Sequence, residues 1–162
     1  MSDDSTQLWD FALSLYAKQS IATACLALQD EGGADVCELL WACWLSKLGL
    51  GLSDDAEQAL YEVRAWQRQY TYPLRAQRRA LSPLADQCRD VARLRRIIKR
   101  AELHAERQAL LKLQELTYRG YGVIPSPEPL SALKKNLLRL LPKQKKSLRW
   151  ALQTLETCLD HA

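Results

Sequence analysis

Arg96, Arg100 and Arg107 lie in RLRRIIKRAELHAER, residues 93–107, with no carboxylate three or four positions away. Side chains at those spacings are neighbours on a helix, and a like-charged pair there costs about 0.2–0.5 kcal/mol. Arg89 and Arg93 differ, since each has an aspartate at i−3, Asp86 and Asp90. A guanidinium without an acid of its own suits a carboxylate or phosphate, which it grips with two parallel hydrogen bonds. The three unpaired arginines are therefore candidates for binding an anion. The internal alternative is that carboxylates from elsewhere in the chain meet them.

A second basic cluster precedes this one. In RAWQRQYTYPLRAQRR, residues 64–79, Trp66, Tyr70 and Tyr72 alternate with Arg64, Arg68, Arg75, Arg78 and Arg79. Cations for phosphates beside aromatic faces for bases is how single-stranded nucleic acid is held. The same residues also serve helix-end packing, with Trp66 in the core and the tyrosines closing the YTYP corner. No recognised nucleic-acid-binding signature accompanies them, which favours packing. Arg75, Arg78 and Arg79 join Arg96, Arg100 and Arg107 as candidates for contacting an acidic protein or nucleic acid. Lys143, Lys145 and Lys146 form a separate patch at the expected start of the last helix. The macrodipole prefers acids there, a cost that a bound anion would offset.

Signals for catalysis are sparse. Asp86 and Asp90 at i,i+4 could hold Mg²⁺ with a phosphate, although Arg89 and Arg93 are placed to neutralise them. Cys25, Cys37, Cys43, Cys88 and Cys158 are odd in number and include no Cys-x-x-Cys, and neither histidine, His104 or His161, neighbours a cysteine. Reduced thiols are expected, with no disulfide frame and no zinc site. No nucleophile elbow or phosphate loop occurs. The residues point to a non-enzymatic helical adaptor that needs no cofactor or metal. A site for an anionic small molecule or Mg-phosphate between acidic and basic helices is the alternative.

Charge is divided along the chain. Residues 1–63 carry 2 basic and 11 acidic side chains, whereas residues 64–162 carry 21 basic and 8 acidic. That asymmetry attracts acidic partners unless the two halves pack together and cancel. With 48% hydrophobic and 26% charged residues, the 162-residue chain has the composition of one folded domain. MSDDSTQLWDF has acids where a signal peptide needs basic residues, and no apolar run reaches the roughly 20 residues of a membrane span. A cytoplasmic location is expected.

The elements that must position these residues are helical. Ser5 or Thr6 is expected to cap a first helix, Ser20 a second and Asp35 a third, VCELLWACWLSKL, whose Trp41 and Trp44 are expected in the core. A fourth helix from Ser53 to about Gln69 is expected to break at YTYP, since proline disfavours helix in the residue before it. After a short helix over 74–81, Ser82 and Pro83 read as N-cap and N1 of the longest helix, to about Tyr118. Its inner seam is Leu84, Val91, Leu94, Ile98, Ala101 and Ala105, with the arginines opposite. Gly120 and Gly122 end it, and residues 119–129 connect to a C-terminal pair of helices at 130–141 and 143–159. The leucines of that pair also offer a surface through which two copies could form a homodimer. The expected fold is all-α, a single-domain bundle of about seven helices with one long central helix.

LWDFALSLY, ACLALQDEGGADVCELLWACWL, PLRAQRRAL and AELHAERQ together resemble a bacterial family of short proteins, domain-of-unknown-function family 2390, over about residues 8–116. The resemblance implies an all-helical cytoplasmic protein and supplies no activity, cofactor or catalytic residue.

Overall fold

The computed structural model describes residues 7–160, and the fold is all-α with one long helix. The expected cap at Ser5 or Thr6 lies outside the described residues, as does His161. The chain forms α1 (Gln7–Tyr16), α2 (Gln19–Gly32) and α3 (Val36–Lys47), then a short strand β1 (Leu50–Leu52). Next come α4 (Ala56–Ala59), α5 (Tyr61–Trp66), a π turn (Gln67–Thr71), α6 (Tyr72–Ala85) and α7 (Arg89–Arg119). A second strand β2 (Val123–Pro125), α8 (Pro129–Arg139), a 3₁₀ turn (Lys146–Leu148) and α9 (Arg149–Asp160) follow. No single helix among the described residues is long and apolar enough to cross a membrane.

At the centre lies α3, in which every residue from Cys37 to Ser46 is buried. A helix apolar on all sides must be covered on all sides, and α3 is packed by α1, α2, α7, α8, α9 and β1. Trp41 is fully buried, its Nε1 donating to Thr117 Oγ1 of α7 at 2.8 Å, and Trp44 is buried beside it. Asp35 caps α3 as expected, its Oδ1 accepting from the Glu38 amide at 3.1 Å. Ser20 does not cap α2, which starts at Gln19 with Lys18 at the N-cap, two residues earlier than expected. Gly33 ends α2 in the left-handed region, and the Ala34 amide bonds back to the Leu28 carbonyl, closing the turn.

Three expectations about the middle of the chain are corrected. First, YTYP is not a break. Tyr72 keeps helical dihedrals, and the wide π turn before it accommodates Pro73 in the first turn of α6. Second, Pro83 lies inside α6 and not at the start of the longest helix. Lacking an N–H it weakens the last turn of α6, the chain reverses at Asp86–Cys88, and α7 begins at Arg89. Ser82 accepts from Arg95 Nε at 3.1 Å across that reversal instead of capping a helix. Third, the expected inner seam is buried only at Ala105, while Leu84, Leu94 and Ala101 are exposed. Helix α6 is the chief neighbour of α7, and it leaves this seam only partly covered.

The antiparallel strand pair, with Leu50 opposite Pro125 and Leu52 opposite Val123, is an element that the sequence pattern does not announce. It fastens residues 119–129 onto the body beside α3 and α8. Gly122 is held there with φ 80°, and a Cβ on it would lie 2.7 Å from Ala59 Cβ. Gly120 also has positive φ, 67°, with open space around it. Gly120→Ala should therefore cost only the left-handed penalty of about 1–2 kcal/mol, and Gly122→Ala about 1–3 kcal/mol more from the clash. Urea unfolding of both variants measures the difference.

Candidate functional site

The site is built on a two-helix arm. Helix α6 buries none of its residues, so apolar contact alone does not hold it against α7. A buried carboxylate supplies the link. Glu102 of α7, 5% exposed, accepts from Arg75 Nε at 3.1 Å and from Arg78 through both of its oxygens. Arg75 also reaches Glu106 at 2.8 Å. Burial pushes the Glu102 carboxyl up, but Arg78 and Arg75 outweigh it and hold the group below its ordinary value. Glu106 is pushed up by burial, with Arg75 opposing. Arg79, nearer the surface, pairs with Asp30 of α2 at 3.0 Å.

Asp35 sets where the arm leaves the body. Besides capping α3, its second oxygen accepts from Gln67 Nε2 at 2.9 Å and from the Tyr72 hydroxyl. One side chain thus ties the start of α3 to the π turn and the start of α6. Glu38, one turn into α3, is pushed up to about 7 by burial, with the Arg64 guanidinium at 2.6 Å opposing and the charge of Asp35 adding. Arg64 also bonds Glu57 at 2.5 Å.

Between this arm and the body lies a cleft of about 540 Å³. Trp9, Leu13 and Tyr16 of α1, Leu26 of α2 and Leu40 of α3 form its apolar floor. Its α7 wall presents Arg96, Lys99, Arg100, Glu102, Leu103, Glu106 and Leu110, each with another of them three or four positions away and so on one helix face. Cations occupy one end of that face, and leucines with the two carboxylates the other. Arg96, Lys99 and Arg100 have no hydrogen-bond or ion-pair partner among the described residues. The expectation that these arginines point away from all packing is thus revised, because their face looks into the cleft. Leu13, Leu26 and Leu103 remain 48%, 43% and 47% exposed, so the cleft is an open groove rather than a closed chamber.

The other candidate residues fall in different places. Arg75 and Arg78 border the cleft with their guanidinium groups engaged by Glu102, and Arg79 borders it paired to Asp30. Arg107 lies over the Trp9 ring, 5.4 Å from its centroid, so an aromatic face meets it and not an acid. Trp66 packs on Tyr70 and donates to the Ala105 carbonyl at 2.9 Å, while Tyr72 is bound to Asp35. Trp66 thus packs partly against the core, while Tyr70 and Tyr72 stay 45% and 36% exposed and close no corner, because helix continues through YTYP. Asp86 and Asp90 stand on either side of the turn between α6 and α7, so their i,i+4 relation on one helix does not exist. Neither an Asp86–Arg89 nor an Asp90–Arg93 ion pair forms among the described residues. Lys145 and Lys146 border a separate groove between α8 and α9, and Lys143 lies in the loop before it. That loop precedes the 3₁₀ turn, so these lysines do not occupy the first turn of α9. Sequence reasoning missed Glu102 and Glu106 as the partners of Arg75 and Arg78. Their i,i+4 spacing was the available signal.

Residues 7–113 match the family described as "Protein of unknown function (DUF2390)". The chain belongs to that family. No curated protein and no solved structure matches it. Every residue lining the cleft, from Trp9 to Leu110, falls within the family segment. Every residue lining the α8–α9 groove, from Lys134 to Glu156, falls outside it.

Two outcomes follow for the site. Glu102→Gln strips the carboxylate from two partly buried guanidinium groups and should cost about 2–4 kcal/mol. Hydrogen exchange should rise along residues 72–85, whereas Arg79→Ala, breaking a half-exposed pair, should change stability by less than about 1 kcal/mol. The second concerns pH. A carboxyl raised in the folded state takes up protons on folding, so its contribution is present below its unfolded value and is lost as pH rises through about 7. The thermal midpoint of the wild type should fall relative to Glu38→Gln between about pH 5 and about pH 8, the window set by that raised value.

Proposed function

We propose that this protein is a non-enzymatic helical adaptor whose cleft receives an acidic protein partner. The observation that carries this reading is the trio Arg96, Lys99 and Arg100, without partners among the described residues on the wall of an apolar-floored groove. Three cations crowded on one helix face repel one another, and opposite charge from outside relieves that repulsion. Six cationic side chains and two carboxylates line the groove, and both carboxylates are engaged by Arg75 and Arg78. The acidic half of the chain cancels little of this charge. Across the division at residue 63, the ion pairs that form among the described residues are those of Arg64 and Arg79.

A protein partner is favoured over nucleic acid because the aromatic residues of the basic cluster, Trp66, Tyr70 and Tyr72, lie outside the cleft lining and Arg107 already covers the Trp9 ring within it. The groove's volume falls within the range of small-molecule sites, about 300–1,000 Å³. An anionic small molecule is therefore the second reading. Leucines exposed by nearly half suit a macromolecular surface better, because small-ligand sites bury most of their ligand.

A photo-crosslinking residue placed at Leu103, with the outer position Leu84 as control, tests the reading in cells. The expected result is a discrete protein adduct at Leu103, absent at Leu84 and lost when Arg96 and Arg100 are both reversed to glutamate. Nuclease-sensitive adducts, or none, would count against it.

A further inference from the structure

We infer that the cleft is shaped for one amphipathic α-helix of the partner, laid along α7 with carboxylates over Arg96, Lys99 and Arg100 and apolar side chains over Leu103, Leu13 and Leu26. This deepens the acidic-partner reading and rests on it. Three features of the groove specify the occupant.

Length is the first. At about 1.5 Å per residue, Arg96 and Leu110 stand about 21 Å apart along the α7 axis, which accommodates about four turns of helix. The lining follows that whole distance.

Backbone chemistry is the second. An extended peptide gains its affinity by adding to an exposed sheet edge. The cleft is walled by α1, α2, α3, α6 and α7, whose interior backbone groups are spent within their own helices. The strand pair β1–β2 contributes no lining residue. A helix satisfies its own backbone and is read through side chains, which suits a groove without a free sheet edge.

Charge pattern is the third. The α7 face passes from free cations at Arg96, Lys99 and Arg100 to the exposed Leu103, its Glu102 and Glu106 being held by Arg75 and Arg78, and the floor opposite adds Trp9, Leu13 and Leu26. A complementary helix carries its acids toward one end and an apolar stripe at i, i+3, i+4 and i+7 toward the other. An acidic segment without that stripe would leave the leucines wet, and an apolar helix without acids would bury the guanidinium groups unpaired. Both halves of the pattern are needed.

The chain has an acidic surface of its own, with Asp54, Asp55, Glu57 and Glu62 exposed around α4 and α5. A second copy offering it would make a head-to-tail contact, which leaves a free site at each end and grows with concentration. That occupant is therefore separable by experiment.

A displayed library of peptides long enough for about four turns is selected on the wild-type protein and counter-selected on the R96E/R100E double variant. The expected winners combine acids with apolar residues at helical spacing and gain helical circular dichroism on binding. Their affinity should fall by about tenfold or more in R96E/R100E and in Leu103→Gln, as for central contacts of an interface, and be unchanged in Leu84→Gln. Winners rich in acids but without apolar periodicity overturn the helix inference and leave the acidic-partner reading standing. No enrichment over the double variant overturns both. Concentration-dependent self-association of the wild type that disappears in R96E/R100E assigns the cleft to a second copy and overturns the inference.

Discussion

A single buried carboxylate, that of Glu102, fastens a helix whose apolar side chains are at best partly buried. Leu74, Leu81 and Ala85 of α6 are only partly covered, so the hydrophobic effect holds the arm less firmly than it holds α3. Two guanidinium groups converging on one buried carboxylate add to that contact. The arrangement also decides which cations remain available. Glu102 lies three residues after Lys99 on α7, at the spacing of a helical ion pair, but Arg75 and Arg78 already occupy it. Glu106, one turn further on, is held by Arg75. Asp35 works in concert at the start of α6, joining its first residue to the cap of α3.

Charge asymmetry in the chain thus has a spatial counterpart. The acid-rich half supplies most of the core and the apolar floor, through α1, α2 and α3, while the basic half supplies the arm. Had the halves cancelled, Arg96 and Arg100 would face carboxylates of α2 or α3. They face Trp9, Leu13 and Leu26 instead, and among the described residues the acids of α2 pair only with Arg79. Arg107 is accommodated over Trp9, where the ring's negative face takes the place of an acid.

Much of this was legible in the residue pattern. The all-α fold, the buried α3 with Trp41 and Trp44, the Asp35 cap and the glycine stop after α7 each follow from local spacing. Local spacing also misled where a tertiary contact took precedence. Ser82-Pro83 has the chemistry of a helix start, yet the chain uses it to finish α6, because Ser82 finds Arg95 across the turn. Leu84, Leu94 and Ala101 obey the period of an inner seam that α6, the chief neighbour of α7, leaves only partly covered. Periodicity states which residues share a face and not whether a second layer covers it. The strand pair is three residues on each side, too short for an alternating pattern to register. For the site, Arg96 and Arg100 could be isolated by subtraction, since no acid lay in helical reach. Placing them opposite α1 required the tertiary fold.

The C-terminal helices clarify what the family segment can do by itself. Leu133, Leu137, Leu140, Leu141, Leu148, Ala151 and Leu155 are buried, and α8 and α9 pack chiefly on α3 and α2. Gly32 lies so close beneath Leu141 that a Cβ there would overlap the leucine methyl. Residues beyond 113 therefore complete the core over α2 and α3, and they contribute nothing to the cleft lining. The C-terminal part of the core and the cleft lining are carried by different parts of the chain. Substitutions in the Lys145 and Lys146 groove can alter stability or a separate contact while leaving the Arg96 wall as it is. The arm, by contrast, cannot change its clamp at Glu102 without moving that wall, because clamp and wall belong to one continuous stretch of α7.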